Sequence, residues 1–176
     1  MKQKLLSYCL LFLVTISSNR LQAQSSAQSS VTGHVMAEIV AAFSAVETSQ
    51  MNFGRFSPGS YGGEIILTPQ GTISVLGSIA KSGGLHNAAS FFLSGAIYTA
   101  FSVSLPKTST VLTNNADAKT LRIKNWVSVP SPGASSGTLQ NGAQTVYVGA
   151  TLEVGTLNDN PVGIYTGSYT ITFDFN

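Results

Sequence analysis

Apolar and polar residues alternate in short segments along most of the chain, and Gly, Pro, Asn and Ser separate the segments. A period of two residues is typical of a β-strand that buries one face. About eight to ten such strands and no helix are predicted, a spacing typical of an antiparallel sandwich or barrel. The clearest segment, AQTVYVGATLEV, places five residues on its inward face: Val146, Val148, Ala150, Leu152 and Val154.

Two further segments carry the ambiguities that matter for function. VMAEIVAAFSAV alternates over nine residues, which favours a strand with one apolar face formed by Val35, Ala37, Ile39, Ala41 and Phe43. LRIKNWVSV places Leu121, Ile123, Val127 and Val129 on one face. Trp126 then falls on the other face, with Arg122 and Lys124. It is either an exposed binding aromatic or, as we prefer, a residue that a bulge returns to the core.

The chain ends on a strand pattern. GIYTGSYTITFDFN alternates almost to its last residue, with Tyr169, Ile171, Phe173 and Phe175 on one face. Most domains end in a loose polar tail, so this segment is predicted to belong to the fold. Turns are predicted at SPGSYGG and at Pro69-Gln70-Gly71, and the longest loop is predicted at PSPGASSGTLQNG.

The N-terminus has the features of a secretory signal. Lys2 and Lys4 precede an apolar stretch over residues 5–16, and Ala23 offers a cleavage position. We therefore expect a signal peptide at 1–23, a flexible arm at 24–33 and a single domain at 34–176. Charged residues make up 9% of the chain against roughly 25% in ordinary soluble domains, which suits an exported β protein in the periplasm, at the cell surface or outside the cell.

Residue chemistry gives no sign of an enzyme. Residues 24–176 hold six basic and seven acidic side chains, so the charge indicates no nucleic-acid partner. Cys9, the only cysteine, lies in the predicted signal, which leaves no thiol for a disulfide or metal site. His34 and His86 fit no catalytic or metal-binding spacing, and Asp159 in LNDNP is interpreted as part of a turn. We expect no catalytic residue, no metal and no small-molecule cofactor.

Three motifs in order resemble a known family. MNFGRFSPG, VYVGATLEV and VGIYTGSYTITFDFN are similar to the bacterial secreted family called domain of unknown function 4402, over residues 31–176. The resemblance implies no established enzyme activity, and it implies that Met51, Phe53 and Gly54 are core and turn residues. It also suggests a relation to spore coat protein U and to pilins of archaic chaperone–usher systems, and hence an immunoglobulin-like β-sandwich.

In those pilins one strand is missing from each subunit, and a neighbour's N-terminal extension or an assembly chaperone fills the gap. The resemblance implies that the terminal strand borders the groove, with Phe175 as its penultimate aromatic. Residues 35–43 are then either the donor strand or the domain's own first strand.

The preferred hypothesis is a non-enzymatic, pilin-like structural or adhesive surface subunit. Its partners would be other pilin-like subunits, further copies of itself or a periplasmic chaperone. The alternatives are a small outer-membrane β-barrel, because an aromatic-rich terminal strand is also typical of such barrels, and a secreted carbohydrate- or protein-binding module.

Overall fold

The structure is a computed structural model that describes residues 28–39 and 42–175. Residues 39–176 form one compact unit, and residues 1–38 form a separate one. The predicted signal peptide lies outside the described residues. Of the unit formed by residues 1–38, residues 28–38 are described, and they have no regular secondary structure.

The compact unit is an antiparallel β-sandwich, which confirms the predicted fold class. One curled sheet has eight strands: β1, β4, β9, β7, β6 and β10 follow one another, and β2 links β9 to β3. The second sheet has the order β11, β5, β8. The strands are β1 (Ser44–Ser49), β2 (Phe56–Leu67), β3 (Ile73–Lys81), β4 (Ala89–Ser94), β5 (Ala100–Ser104), β6 (Thr110–Asn114), β7 (Thr120–Val129), β8 (Gly133–Thr138), β9 (Ala143–Val154), β10 (Tyr165–Thr166) and β11 (Thr172–Phe175).

Two apolar clusters form the core. The first joins the small sheet to β4 and β9, and its buried members are Ala89, Leu93, Phe101, Val103, Leu139, Val146 and Val148. The second lies on the inner face of β2, β7 and β9, and its buried members are Ile65, Leu121, Ile123, Ala150, Leu152 and Val154. All five inward residues predicted for β9 are buried, so β9 contributes to both clusters.

The position of Gly149 explains why the motif VYVGATLEV contains a glycine. One edge of β9 pairs with β4 up to Val148 and with β2 from Ala150, so Gly149 lies between two partner strands. A Cβ at Gly149 would overlap the backbone carbonyl oxygen of Leu67, which is main chain and cannot move aside. The motif is therefore a packing requirement at the junction of three strands.

The face predicted for the second half of β7 is wrong. Leu121 and Ile123 are buried as expected, but Val127 and Val129 are 45% and 44% exposed. The register between β7 and β9 shifts between Lys124 and Val127, where Asn125 has a φ of 50°. This bulge inserts one residue and reverses the alternation that follows it.

Two segments predicted as turn or loop contain strand. SPGSYGG is part of β2, whose register with β3 shifts between Pro58 and Gly63. Its glycines allow close approach, because a Cβ at Gly63 would overlap the Leu76 carbonyl oxygen of β3. The predicted long loop contains β8, which pairs with β5. Turn-forming residues thus occur within paired strands.

Both ends of the domain differ from the prediction. No strand forms over residues 35–39 or 42–43, and β1 begins at Ser44. A lone alternating segment needs a pairing partner to become a strand. The predicted terminal strand is divided, because β10 pairs with β6 in the large sheet whereas β11 pairs with β5 in the small one. Residues 167–171 cross between the sheets, and the crossing interrupts the pairing.

Candidate functional site

The candidate site is the side of the sandwich between β1 and β11. Among the described residues, β1 pairs on one edge with β4 and β11 pairs on one edge with β5, so each has a second edge without a strand. β1 is almost wholly exposed, from Ser44 to Thr48. Unpaired N–H and C=O groups on such edges are a template for another strand.

Aromatic rings join the two strands at one end of this side. Phe43, just before β1, stacks on Phe175 of β11, with 4.6 Å between ring centroids and 12° between ring planes. Phe91 of β4 packs against Phe173 at 5.7 Å between centroids. The terminal aromatics therefore face inward, towards the first core cluster.

A cleft of about 890 Å³ opens further along the same side. Its floor is the second core cluster, with Leu121, Ile123 and Leu152 among its lining residues. Its walls are residues 50–58, which follow β1, and residues 160–171, which precede β11. Further lining residues include Glu47, Phe91, Leu112 and Val154. The small sheet covers the first cluster, whereas this part of the second cluster is bordered by the start of β2, by the short strand β10 and by the loops beside them.

Tyr169 lines the cleft, and its ring packs on that of Trp126. Their rings lie 4.6 Å apart between centroids at 42°, and Trp126 packs against both core clusters. Trp126 is thus a partly buried residue beside a bulge, which agrees with the preferred interpretation and not with the alternative of an exposed binding aromatic. Burial, and secondarily the charge of Glu47, raise the pKa of the Tyr169 hydroxyl to about 12.

The structure brings together only part of the predicted partner-contact set. Tyr169, Ile171, Phe173 and Phe175 lie on one border of the open side, with Phe43 stacked at its end. Val35 and Ile39 are each 98% exposed, and Ala37 is exposed in the same irregular segment. Ala41 lies outside the described residues.

Sequence reasoning missed several residues of the site. Phe91 lies in β4 and Leu112 in β6, and the local alternation gives no sign that they would meet residues 160–171. Glu47 follows the alternating segment, and nothing in its local sequence marks it as a residue of the cleft. Their shared location depends on which strands become neighbours, which a local pattern does not record.

Charged groups lie mainly away from the cleft. On the outer face, Lys124 bridges Glu64, at 2.8 Å between Nζ and Oε1, and Glu153. The hydrogen bond to Glu153, then that to Glu64, raises the pKa of Lys124. Asp159 accepts hydrogen bonds from Thr156, which lower the pKa of Asp159, and this confirms its assignment to a turn.

Two kinds of feature are absent from the described residues. No group of three or more His, Cys, Asp or Glu side chains there is placed to hold a metal ion. None of the helical structure in that part of the chain is long and apolar enough to cross a membrane.

One known family covers the residues of the sandwich. The model of the family described as "Domain of unknown function (DUF4402)" matches residues 43–175. The chain belongs to this family. The DUF4402 match begins at Phe43, the residue that stacks on Phe175, and it includes every strand of the sandwich. No curated protein and no solved structure matches the chain.

Proposed function

We propose that this DUF4402 protein is a structural subunit that accepts a β-strand from a second copy of itself along the free edge of β11. The observation that carries the proposal is the position of that edge, which continues directly from the apolar wall of the cleft at Tyr169 and Ile171. A strand added there would satisfy backbone groups on one side and place alternate side chains over apolar residues.

An extended peptide fits this side better than a compact ligand does. The free edge offers backbone hydrogen bonds in a row, which a β-strand uses and a small molecule does not. The cleft supplies apolar contacts, and the only ion pairs among the described residues, those of Lys124, lie outside its lining. Side chains that reach the floor of the cleft would therefore be apolar, whereas Glu47 and Arg55 contribute charge to its lining.

The segment before the domain has that character. Val31, Val35 and Ile39 are each at least 95% exposed, an arrangement that leaves large apolar side chains in water. With Ala37 between the last two, they recur at odd positions, so an extended conformation would place them on one face. We assign the donor role to residues 31–43 of a second copy.

The sequence features support a cellular role at the surface. The signal-like N-terminus, the low charge and the resemblance to archaic pilins support an exported surface subunit that serves as structure or adhesin, as in a fimbrium. A periplasmic chaperone that occupies the same edge before assembly would be consistent with this role. No enzymatic step is part of the proposal.

Peptide complementation tests strand addition. The chain over residues 24–176 is mixed with a synthetic peptide of residues 31–45, and binding is followed by fluorescence anisotropy and by thermal unfolding. We expect saturable binding and a melting temperature that rises with peptide concentration, because the peptide binds only the folded domain.

Matched variants identify the edge. A peptide with Val35→Ser and Ile39→Ser keeps its length but loses the apolar face, and it should bind at least about tenfold more weakly. The domain variant Ile171→Ser should bind the parent peptide more weakly, whereas Val127→Ser on the outer face should bind it normally. No binding, together with a strictly monomeric protein at high concentration, would refute the proposal.

A further inference from the structure

The ring of Phe43 occupies a site that the fold builds for it. A Cβ at Gly95 would overlap the Phe43 ring and would also lie 3.2 Å from Cδ1 of Leu139, a fully buried residue. The Gly95 N–H donates to the Gly142 carbonyl oxygen at 2.9 Å, which fixes the backbone under the ring. With Phe175 stacked above it, Gly95 and Leu139 complete what we call the aromatic seat.

The seat coincides with the last position of the strand-accepting edge. A strand paired with β11 would bring its inward side chains to roughly 5 Å from those of β11, measured between Cβ atoms. Its side chain beside Phe175 would need the volume that Phe43 fills, since the Phe43 and Phe175 rings are only 4.6 Å apart. Phe43 thus takes the place of a cross-strand neighbour without being part of a strand beside β11.

We infer that Phe43 is a plug in cis: its ring blocks the end of the β11 edge, and after assembly the same seat takes the Phe43 ring of a second copy. This inference rests on the proposed strand addition and adds a regulatory contact to it. The ring makes the same contacts before and after exchange, so the seat itself contributes little net driving force. The Phe43 ring instead restricts pairing to the part of β11 before Phe175 until the ring leaves the aromatic seat.

The exposure of Phe43 agrees with an exchangeable contact. Its side chain is 40% exposed, whereas Leu139 beneath it is fully buried. Earlier in the chain, Val35, Met36 and Ile39 are each at least 94% exposed, so Phe43 is much less exposed than the large apolar residues that precede it. Release of one ring would free the edge without opening either core cluster.

The test compares two ways of removing the plug. Phe43→Ala empties the seat, whereas Gly95→Ala displaces the ring but fills the seat with a methyl group. Each variant of the 24–176 chain is titrated with the 31–45 peptide and with the same peptide carrying Phe43→Ala. Phe92→Ala, which removes a ring of similar exposure (42%) from the outer face of β4, is the matched control.

We expect Phe43→Ala to bind the parent peptide about tenfold more tightly than wild type, because the site is no longer occupied in cis. This variant should also prefer the parent peptide to the alanine peptide by several-fold. Gly95→Ala should show no such preference, and Phe92→Ala should behave like wild type. If Phe43→Ala does not fold, Phe43→Leu retains apolar bulk and should show the same direction with a smaller gain.

The outcomes separate the two proposals. Equal parent-peptide affinity for wild type and Phe43→Ala would overturn the plug while leaving strand addition supported. The plug is also overturned if Phe43→Ala binds the two peptides equally well. Absence of binding to every variant would overturn strand addition and the plug together.

Discussion

Trp126 and Tyr169 pack ring against ring, 4.6 Å apart between centroids, and this contact connects the bulge of β7 to the segment that crosses between the sheets. Within the part of the chain that the structure describes, neither Trp126 Nε1 nor the Tyr169 hydroxyl has a hydrogen-bond partner. The pair therefore stabilises the inner side of the cleft by apolar contact, against the cost of two unpaired polar atoms.

Tyr169→Phe should make the domain less sensitive to alkali. The folded-state pKa of about 12 lies above the ordinary value of 10.0, so neutral Tyr169 stabilises the fold fully below pH 10. That contribution is lost as the pH rises towards 12, because the unfolded chain ionises first. Urea unfolding measures the free energy of unfolding at pH 7 and at pH 11.5. Between these two pH values it should fall further for wild type than for Tyr169→Phe, by on the order of 1–2 kcal/mol after allowance for partial exposure.

Glu47→Gln is the control for the electrostatic contribution to the raised pKa of Tyr169. It removes the smaller cause of the raised Tyr169 pKa and should reduce the alkaline decline only in part. If the free energy of unfolding falls equally with pH for wild type and Tyr169→Phe, the Tyr169 hydroxyl does not limit stability at alkaline pH. At pH 7 the phenylalanine variant should be within about 1 kcal/mol of wild type, since the removed hydroxyl is unpaired.

Asn125→Val should disturb the bulge that places Trp126. Asn125 has a φ of 50°, a conformation that asparagine tolerates and a β-branched residue strongly disfavours. We expect a loss of about 1–2 kcal/mol in the free energy of unfolding. Because Trp126 is the only tryptophan, its fluorescence should also shift to longer wavelength as the ring meets water. Asn125→Gly keeps the backbone conformation accessible and should leave both readouts near wild type.

Gly149→Ala should destabilise the domain by about 2–3 kcal/mol, because the added methyl group meets the Leu67 carbonyl oxygen at the junction of β9 and β2. Chemical denaturation measures the loss. Gly71→Asn is the comparison, since nothing lies within 4 Å of a Cβ there and asparagine tolerates its φ of 79°. A similar loss at both positions would argue against the steric explanation.

Lys124→Met should lower the free energy of unfolding in a salt-dependent way. Glu64 and Glu153 are direct cross-strand partners, and without Lys124 their carboxylates repel each other. Added salt should reduce the loss, and Glu153→Gln in the Lys124→Met background should recover part of it. A loss that does not change with salt would indicate that packing of the lysine stem, rather than charge, is responsible.

The residue pattern alone determined the class of the fold and the inward face of its central strand. The alternation from Val146 to Val154 survives because β9 is paired on both edges, so local periodicity and burial coincide. The hairpin at Pro69-Gln70-Gly71 was equally predictable, since its turn residues are adjacent to the strands that they join.

Tertiary structure decided where the alternation fails. The bulge at Asn125 reverses the faces of Trp126 and Val127. The terminal strand is divided because its first part, β10, pairs with β6 and its last part, β11, pairs with β5 in the other sheet. The open side of the sandwich also arises only in three dimensions, because a free edge depends on which strands are absent beside it. The sequence by itself determined that Phe175 belongs to a strand, and only the packing of Phe43 over Gly95 decided what lies beside that strand.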